Sequence, residues 1–208
     1  MATTLDIGDR DLTERQKAVL TAALDVLVDA GDRLTMTEVA RRASCSKETL
    51  YKWFGDRDGL LTATVQWQAA KVRAPIVDRQ KLNRESLSQS LHAFGRDLLT
   101  VLTGDISVAL NRLAVAHAGA DKRDLGRVVL ENGRIAMGRR LKPVLEAGRE
   151  AGLLRFEDAE QAFRTYFGLV VRDVQIRLLL GDRLKVGGAE IDREAATAAD
   201  QFLALYGA

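Results

Sequence analysis

The residues best suited to chemistry lie together in one short segment of the chain. Lys47, Thr49 and Lys52 carry polar or basic side chains of the kind that meet the donors, acceptors and methyl groups at base edges in the major groove of DNA. Tyr51 and Trp53 place a hydrogen-bond donor at the end of a large apolar body, which suits phosphate and sugar oxygens. We therefore predict a DNA-contacting surface in this segment.

The spacing of these residues predicts a short α-helix over residues 46–54. Leu50 and Phe54 are four positions apart and share an inward face, while Ser46 is a good N-cap because its hydroxyl can accept a backbone hydrogen bond. Glu48 would repel phosphate. We expect it to pair with Lys47 or Lys52 or to face solvent, and the alternative is that it accepts a bond from a cytosine amino group.

Three further helices are predicted around this one, and together they form the arrangement of a helix-turn-helix. The first runs from residue 12 or 13 to residue 30, between a threonine and a glycine that suit its two ends. The second begins at a potential capping box, Thr35 with Glu38, and stops near residue 44. The fourth starts at Asp56 and runs toward residue 72, with Arg57 placed to reach a phosphate.

Positive charge is concentrated on the helix-turn-helix and is weak elsewhere. The formal net charge of +2 over 208 residues does not by itself indicate a nucleic-acid partner. Positions 41–73 hold seven basic and three acidic residues, whereas the stretch before them holds eight acidic and four basic ones. We expect DNA-binding charge to be confined to the segment after Val39, and a solvated helix surface is the alternative interpretation.

The composition indicates an all-α fold. Only Pro75 and Pro143 interrupt a sequence rich in alanine, leucine, arginine and glutamate, and no strand-like alternation competes with the helical spacing.

The single Cys45 excludes an internal disulfide and a multi-cysteine metal site, so we expect a packed, inert thiol, with redox sensing as the alternative. No signal-peptide pattern or membrane-length apolar run is visible, which favours a cytoplasmic protein.

The stretch from Leu34 to Leu61, LTMTEVARRASCSKETLYKWFGDRDGLL, resembles the DNA-binding signature of the TetR family of transcriptional regulators. The resemblance depends on a combination of small, polar and apolar positions, namely Thr35, Val39-Ala40, Ser46, Thr49-Leu50-Tyr51, Phe54 and Leu60-Leu61. With the N-cap added, it gives the predicted DNA-binding set: Thr37, Ser46, Lys47, Thr49, Tyr51, Lys52, Trp53 and Arg57.

Four residues depart from the family pattern in or beside the predicted helix over residues 46–54, which is the recognition helix of the motif. Ser44 stands where the family usually has glycine in the turn, so we expect a left-handed serine that costs some backbone strain. Cys45 replaces a small aliphatic residue, Glu48 a small residue, and Trp53 a histidine or tyrosine. The departures at Ser44, Glu48 and Trp53 predict an individual operator preference. For Tyr51 and Trp53, packing within the domain is the alternative to a DNA contact.

The second half of the sequence predicts five further helices, at about residues 85–102, 105–118, 122–151, 157–180 and 190–206. The resemblance implies that they form a regulatory domain with a ligand cavity, and that the last two long helices make a homodimer. Apolar residues on more than one face between 163 and 179 independently favour such a dimer. Candidates for the pocket, with core packing as the alternative, are Phe94, Leu98, Leu113, His117, Met137, Phe163 and Phe167.

The longest predicted helix, residues 122–151, contains Gly126, Gly133, Gly138 and Gly148, each of which lowers helix stability relative to alanine. We expect a bend or break within it, which would let a bound ligand move the DNA-binding domain. Close packing of neighbouring helices explains the same glycines equally well.

These patterns predict a DNA-binding domain over residues 12–55, a connecting helix over 56–74 and a regulatory and dimerisation domain over 75–208. The predicted function is transcription regulation by a homodimeric repressor, which a small apolar or amphipathic ligand releases from palindromic DNA, with no cofactor, metal or membrane partner. The first alternative is a ligand-independent or architectural DNA-binding protein. A small helical enzyme using His117, Glu131 and Glu146 is a remote alternative, because no nucleophile motif, metal-ligand spacing or phosphate loop supports it.

Overall fold

The computed structural model describes residues 12–30, 34–116, 118, 125–184 and 186–208. These residues form α-helices and no strand, and an isolated antiparallel bridge pairs Leu154 with Gly207. The predicted all-α fold is therefore confirmed. In chain order the helices are α1 (Glu14–Ala30), α2 (Met36–Arg42), α3 (Lys47–Phe54), α4 (Arg57–Ala70), α5 (Arg84–Thr103), α6 (Asp105–Ala116), α7 (Leu125–Leu130), α8 (Ala136–Glu150), α9 (Ala159–Val171), α10 (Val174–Leu179) and α11 (Gly188–Tyr206).

The described residues fall into two compact units. Unit 1 holds the residues up to Lys71 together with Asp105–Gly133, and unit 2 holds Val72–Gly104 and Arg134–Ala208. Helices α6 and α7 thus group with α1–α4, a pairing that the sequence pattern does not predict. The predicted start of the regulatory domain at residue 75 stays a prediction, because a division into compact units does not test which residues bind DNA or ligand.

Unit 1 is built around α1, which packs against α2, α4 and α6. Its buried Leu20 and Leu24 belong to one apolar core with Val39 of α2, Leu50 of α3 and Leu60 of α4. Apolar residues of α6 and α7 complete the same core, namely Leu110, Leu113, Ala114 and Leu125. Because burial of apolar area is the dominant stabilising contribution to such a unit, α3 is held by its apolar edge.

The short helices of unit 1 begin at side-chain caps, as the sequence predicts. Thr35 accepts a hydrogen bond from the Glu38 amide at 3.2 Å, Ser46 from the Thr49 amide at 3.2 Å, and Asp56 from the Gly59 amide at 2.8 Å. The predicted capping box is wrong in one detail. The Glu38 carboxylate binds the Arg41 guanidinium, 3.0 Å from its Nε, instead of returning to the helix start.

Both of the longest predicted helices are divided in the structure. A π-helical turn over Glu131–Ile135, with Gly133 at φ −89° and ψ −105°, separates α7 from α8. The expected break in that helix is therefore confirmed. The single helix predicted over 157–180 is wrong, because Arg172 adopts a positive φ of 45° and ends α9 before α10 begins.

Unit 2 is organised around the packing of α11 against α5 and α9. Tyr166 of α9 is fully buried, and its hydroxyl donates a hydrogen bond of 2.5 Å to the Leu91 carbonyl of α5. Burial raises the pKa of Tyr166, so the hydroxyl keeps its proton and stays a donor. The ring of Phe202 meets the Tyr166 ring edge-on at 5.4 Å, which closes the core from the α11 side.

Replacing Gly138 of α8 with alanine is expected to destabilise unit 2 by about 1–3 kcal/mol, because the added Cβ would lie 2.9 Å from the buried Phe163 ring. Gly168→Ala is the matched control. The space around Gly168 is open, so this change is expected to be neutral or stabilising by up to about 1 kcal/mol. Urea unfolding at one protein concentration measures both, and equal stabilities would show that α8 and α9 are not closely packed.

Candidate nucleic-acid interface

Helix α3 buries one edge and presents the opposite face to solvent. Leu50 and Phe54 lie in the unit 1 core. On the other side, Lys47 and Tyr51 form one exposed row, and Lys52 lies on the row next to it. The Tyr51 side of the helix is open, since that residue is 52% exposed despite its size. An exposed aromatic flanked by two lysines suits contact with a phosphate backbone and base edges.

Thr49 and Trp53 occupy the row between the buried and exposed faces. Both are half-buried. The Thr49 hydroxyl lies 3.1 Å from the Ser46 hydroxyl, and the Trp53 ring meets Phe54 edge-on at 6.3 Å while packing against the core. Trp53 therefore has a packing role in unit 1. Its contact with DNA stays a prediction, together with that of Thr49.

Glu48 is engaged at the start of its own helix. The pKa of Glu48 is lowered from its ordinary value, chiefly by the effect of its own backbone N–H on the carboxylate and next by that of the Ser46 hydroxyl. The charge of Lys47 contributes in the same direction. A carboxylate bound to the exposed amides of a helix N-terminus is favourable in the helix dipole. Because the lowered pKa keeps the exposed carboxylate ionised, Glu48 would repel a phosphate placed beside it.

The turn between α2 and α3 has the geometry of a Schellman motif with serine at its left-handed position. Ser44 has a φ of 50°, as the sequence predicts. The Cys45 amide donates to the Ala40 carbonyl at 3.0 Å and the Ser44 amide to the Arg41 carbonyl at 3.3 Å, which are the two bonds of that motif. Cys45 is half-buried and packs against the unit 1 core, as expected for a packing residue.

Two further members of the predicted set flank α3. Thr37 is exposed on α2. Arg57 at the start of α4 donates from Nε to the Leu34 carbonyl at 2.9 Å, and its Nη1 lies 3.6 Å from the Asp58 carboxylate. One edge of this guanidinium therefore joins α4 to Leu34, two residues before α2. The predicted phosphate contact of Arg57 is an additional role that these bonds do not test.

The predicted pocket residues are distributed over both units. Leu113 is buried in unit 1, and Phe94, Leu98, Met137 and Phe163 are buried in unit 2 with the half-buried Phe167; His117 lies outside the described residues. The rings of Phe163 and Phe167 are 5.9 Å apart, whereas Phe94 contacts Tyr166 instead, at 6.4 Å. The structure thus brings together two members of the set in unit 2, and core packing accounts for the others equally well.

Two polar groups that the sequence analysis does not single out lie near apolar surroundings. The Arg134 guanidinium lies over the rings of Phe163 and Phe167, at 4.3 Å and 5.1 Å, and binds Glu160 at 3.2 Å. The side-chain oxygen of Gln68 is buried and has no hydrogen-bond partner within the part of the chain that the structure describes. A polar residue within the otherwise apolar second half of α4 is the signal that marks Gln68, whereas no such signal marks Arg134.

The described residues contain no group of three or more His, Cys, Asp or Glu side chains that could hold a metal ion. Of the acid–base groups in the enzyme alternative, Glu131 binds Arg127 at 3.5 Å, and Glu146 is half-buried. No single described helix is long and apolar enough to span a membrane, although the bent pair Arg84–Thr103 with Asp105–Ala116 passes by length and composition alone.

Comparison with known families finds two matches along the chain. Residues 19–64 match the family described as bacterial regulatory proteins, tetR family. Residues 89–208 match the AefR-like transcriptional repressor, C-terminal domain. The first match contains α2, α3 and most of α1, and the second covers more than half of the sequence.

Individual relatives agree with these matches. The uncharacterized HTH-type transcriptional regulator YdeS of Bacillus subtilis (strain 168) is 30% identical over 142 residues, which is 67% of each chain. A TetR transcriptional regulator from Agrobacterium tumefaciens has a similar structure, with a TM-score of 0.78, 46% identity, and coverage of 94% of this chain and 96% of that one. The Flavonoid-responsive Regulator FrrA aligns with a TM-score of 0.66 and 25% identity, covering 93% and 97%.

Changing Ser44 to glycine is expected to raise the free energy of unfolding by about 1 kcal/mol, because glycine adopts a positive φ without the Cβ clash. Ser44→Ala is the matched control and is expected to stay within about 0.5 kcal/mol of the unchanged protein, since alanine carries the same Cβ. Denaturant unfolding of the three proteins measures the difference. A glycine variant no more stable than the alanine variant would show that the turn is not strained.

Proposed function

This chain belongs to the TetR family of transcriptional regulators, and on that premise we propose that it is a homodimeric repressor that a small molecule releases from a palindromic operator. Members of this family are DNA-binding regulators and not enzymes. The observation that carries the operator part of the proposal is the exposed face of α3. Lys47, Tyr51 and Lys52 project from a helix whose opposite edge is fixed in the unit 1 core.

The predicted DNA-binding set supports the following assignment of roles. Lys47 and Tyr51 are the leading candidates for contacts in the groove, because they form the most open row of α3. Arg57 supplies a phosphate contact, while Lys52, Thr37 and Thr49 read or border base edges. Two copies of α3 in a dimer would meet half-sites about 34–36 Å apart, one turn of the DNA helix.

Exposed apolar side chains support dimerisation through the last helices of unit 2. Ile176 of α10 is 54% exposed, Leu180 just after it 81%, and Leu205 of α11 64%. Such residues are costly to leave in water, and a second copy of the chain would cover them. The members of the family form dimers, and in the proposal α9, α10 and α11 of each protomer contribute to the interface.

The ligand in this proposal is a small apolar or amphipathic molecule that offers a hydrogen-bond donor. The unpaired Gln68 oxygen on α4 supports the donor, because a buried acceptor without a partner costs about 1–3 kcal/mol until one is supplied. The buried apolar residues Val65 and Ala69 of the same helix support the apolar part. The relative FrrA is described as flavonoid-responsive, and a flavonoid combines both properties.

A regulator that needs no ligand is the second candidate, and a single measurement separates the two. An operator complex that is insensitive to every member of a metabolite panel would favour it. The break at Gly133, between α7 and α8, is the observation that favours ligand control, because it interrupts the chain between the two compact units.

Selection from a randomised duplex library is expected to enrich a palindrome, and Lys47→Ala and Tyr51→Ala are each expected to abolish that enrichment. Both changes remove groups from the exposed row of α3 without touching Leu50 or Phe54. Lys81→Ala is the matched control, since it removes an exposed lysine from unit 2. Binding that is only salt-sensitive, with no enriched palindrome for the unchanged protein, would defeat the operator part of the proposal.

Gln68→Met is expected to stabilise the ligand-free protein by about 1 kcal/mol, or roughly 2–4 °C in the unfolding midpoint, because it removes the unpaired oxygen. Gln66→Met is the matched control on the same helix. Gln66 is equally buried, at 7% exposure, but carries no such unpaired atom. Calorimetry of the two variants measures the difference, and a Gln68→Met protein less stable than the unchanged one would contradict the proposed ligand contact.

A further inference from the structure

A long-range hydrogen bond joins the first helix to the turn that precedes the recognition helix. The Arg15 guanidinium on α1 donates from Nη2 to the Ser44 carbonyl at 2.6 Å, across 29 positions of sequence. Farther along α1, Asp29 accepts from Arg42 at 2.7 Å, at the end of α2. The end of α2 and the turn after it are therefore tied to two separate points on α1.

The turn that carries the Ser44 carbonyl is strained at Ser44 itself. Ser44 lies at a φ of 50°, where a side chain with a Cβ is disfavoured, so the turn tends toward other conformations. The two amide bonds of the turn use the Ala40 and Arg41 carbonyls and leave the Ser44 carbonyl for a different donor. A charged donor makes a stronger bond to a carbonyl than a neutral one.

We propose that Arg15 is a positioning residue for operator recognition: by binding the Ser44 carbonyl it holds the left-handed turn and thereby sets the direction in which α3 leaves α2. This inference rests on the proposed function, since it concerns how the operator is read. Arg15 replaces the conformational freedom that glycine supplies at this position in the family. It acts through the turn and not by touching DNA.

A direct phosphate contact is the competing explanation, because Arg15 is exposed and positively charged. The two roles differ in their dependence on salt. The slope of log affinity against log salt is negative, and each lost phosphate contact makes it less steep by about 0.9, whereas loss of a positioning bond leaves it unchanged. The two also differ in their dependence on residue 44, since only a positioning bond becomes dispensable when glycine removes the strain.

The experiment compares Arg15→Ala in the natural background and in a Ser44→Gly background, in the full chain, with Lys17→Ala as a charge control on the same helix. The probe is the duplex that the unchanged protein enriches from the library. Arg15→Ala is expected to weaken binding about tenfold with an unchanged salt slope, and by less than about threefold when Ser44 is glycine. A salt slope that is less steep by about 0.9, or an equal loss of affinity in both backgrounds, overturns the proposal.

A DNA-free readout keeps this inference separate from the proposed function. The Cys45 amide, bonded to Ala40 within the turn, is expected to exchange its hydrogen about tenfold faster in Arg15→Ala, but not when Ser44 is glycine. Unchanged exchange overturns the positioning role, whatever the DNA result. If no palindrome is enriched, the proposed function fails, and the exchange rates still decide whether Arg15 holds the turn. Circular dichroism confirms that each variant is folded, and Arg15→Met, which removes the donor but keeps a long side chain, replaces Arg15→Ala in both backgrounds if that variant is not folded.

Discussion

The recognition surface depends on how firmly the apolar edge of α3 is held. An isolated helix of eight residues is not stable in water, because too few hydrogen bonds offset the entropy of ordering its backbone. Leu50 and Phe54 supply the missing free energy by joining a core to which α1, α2, α4, α6 and α7 all contribute. Since residues four positions apart lie on one side of a helix, fixing this edge also fixes which side chains face outward. The exposed row of Lys47 and Tyr51 is thus a consequence of packing.

Polar contacts in unit 1 add to the apolar core in fixing the positions of the helix ends. Two arginines that a charge count would assign to DNA, Arg42 and Arg57, make bonds within the protein, to Asp29 and to the Leu34 carbonyl. Arg15 likewise binds the Ser44 carbonyl. These bonds join the ends of helices, where backbone groups lack partners within the helix. The net positive charge of this region therefore divides into a structural part and a smaller part on α3. Recognition of DNA therefore depends on the positions of a small number of charged side chains, in agreement with the modest net charge of the chain.

Local features of unit 1 were predictable from sequence, and long-range ones were not. Thr35, Ser46 and Asp56 cap the helices that they were expected to cap, because capping is decided within four residues. The left-handed Ser44 followed from its place in a known motif. In contrast, the break at Arg172 involves an ion pair with Glu194 of α11, and the Arg15 bond spans 29 positions. No local pattern encodes such partners. The DNA and ligand contacts themselves depend on molecules that only experiment can supply.

The membership of α6 and α7 in unit 1 bears on how operator specificity could be transplanted between relatives. A chimaera joined at residue 74 would take α1–α4 but leave behind Leu110, Leu113 and Leu125, which fill the same core as Leu50. The transferred helices would expose the apolar surface that α6 and α7 cover in unit 1, and α3 would be held less firmly. The portable module is therefore discontinuous in sequence: residues up to 71 travel with residues 105–133, and α5 between them can stay with the recipient.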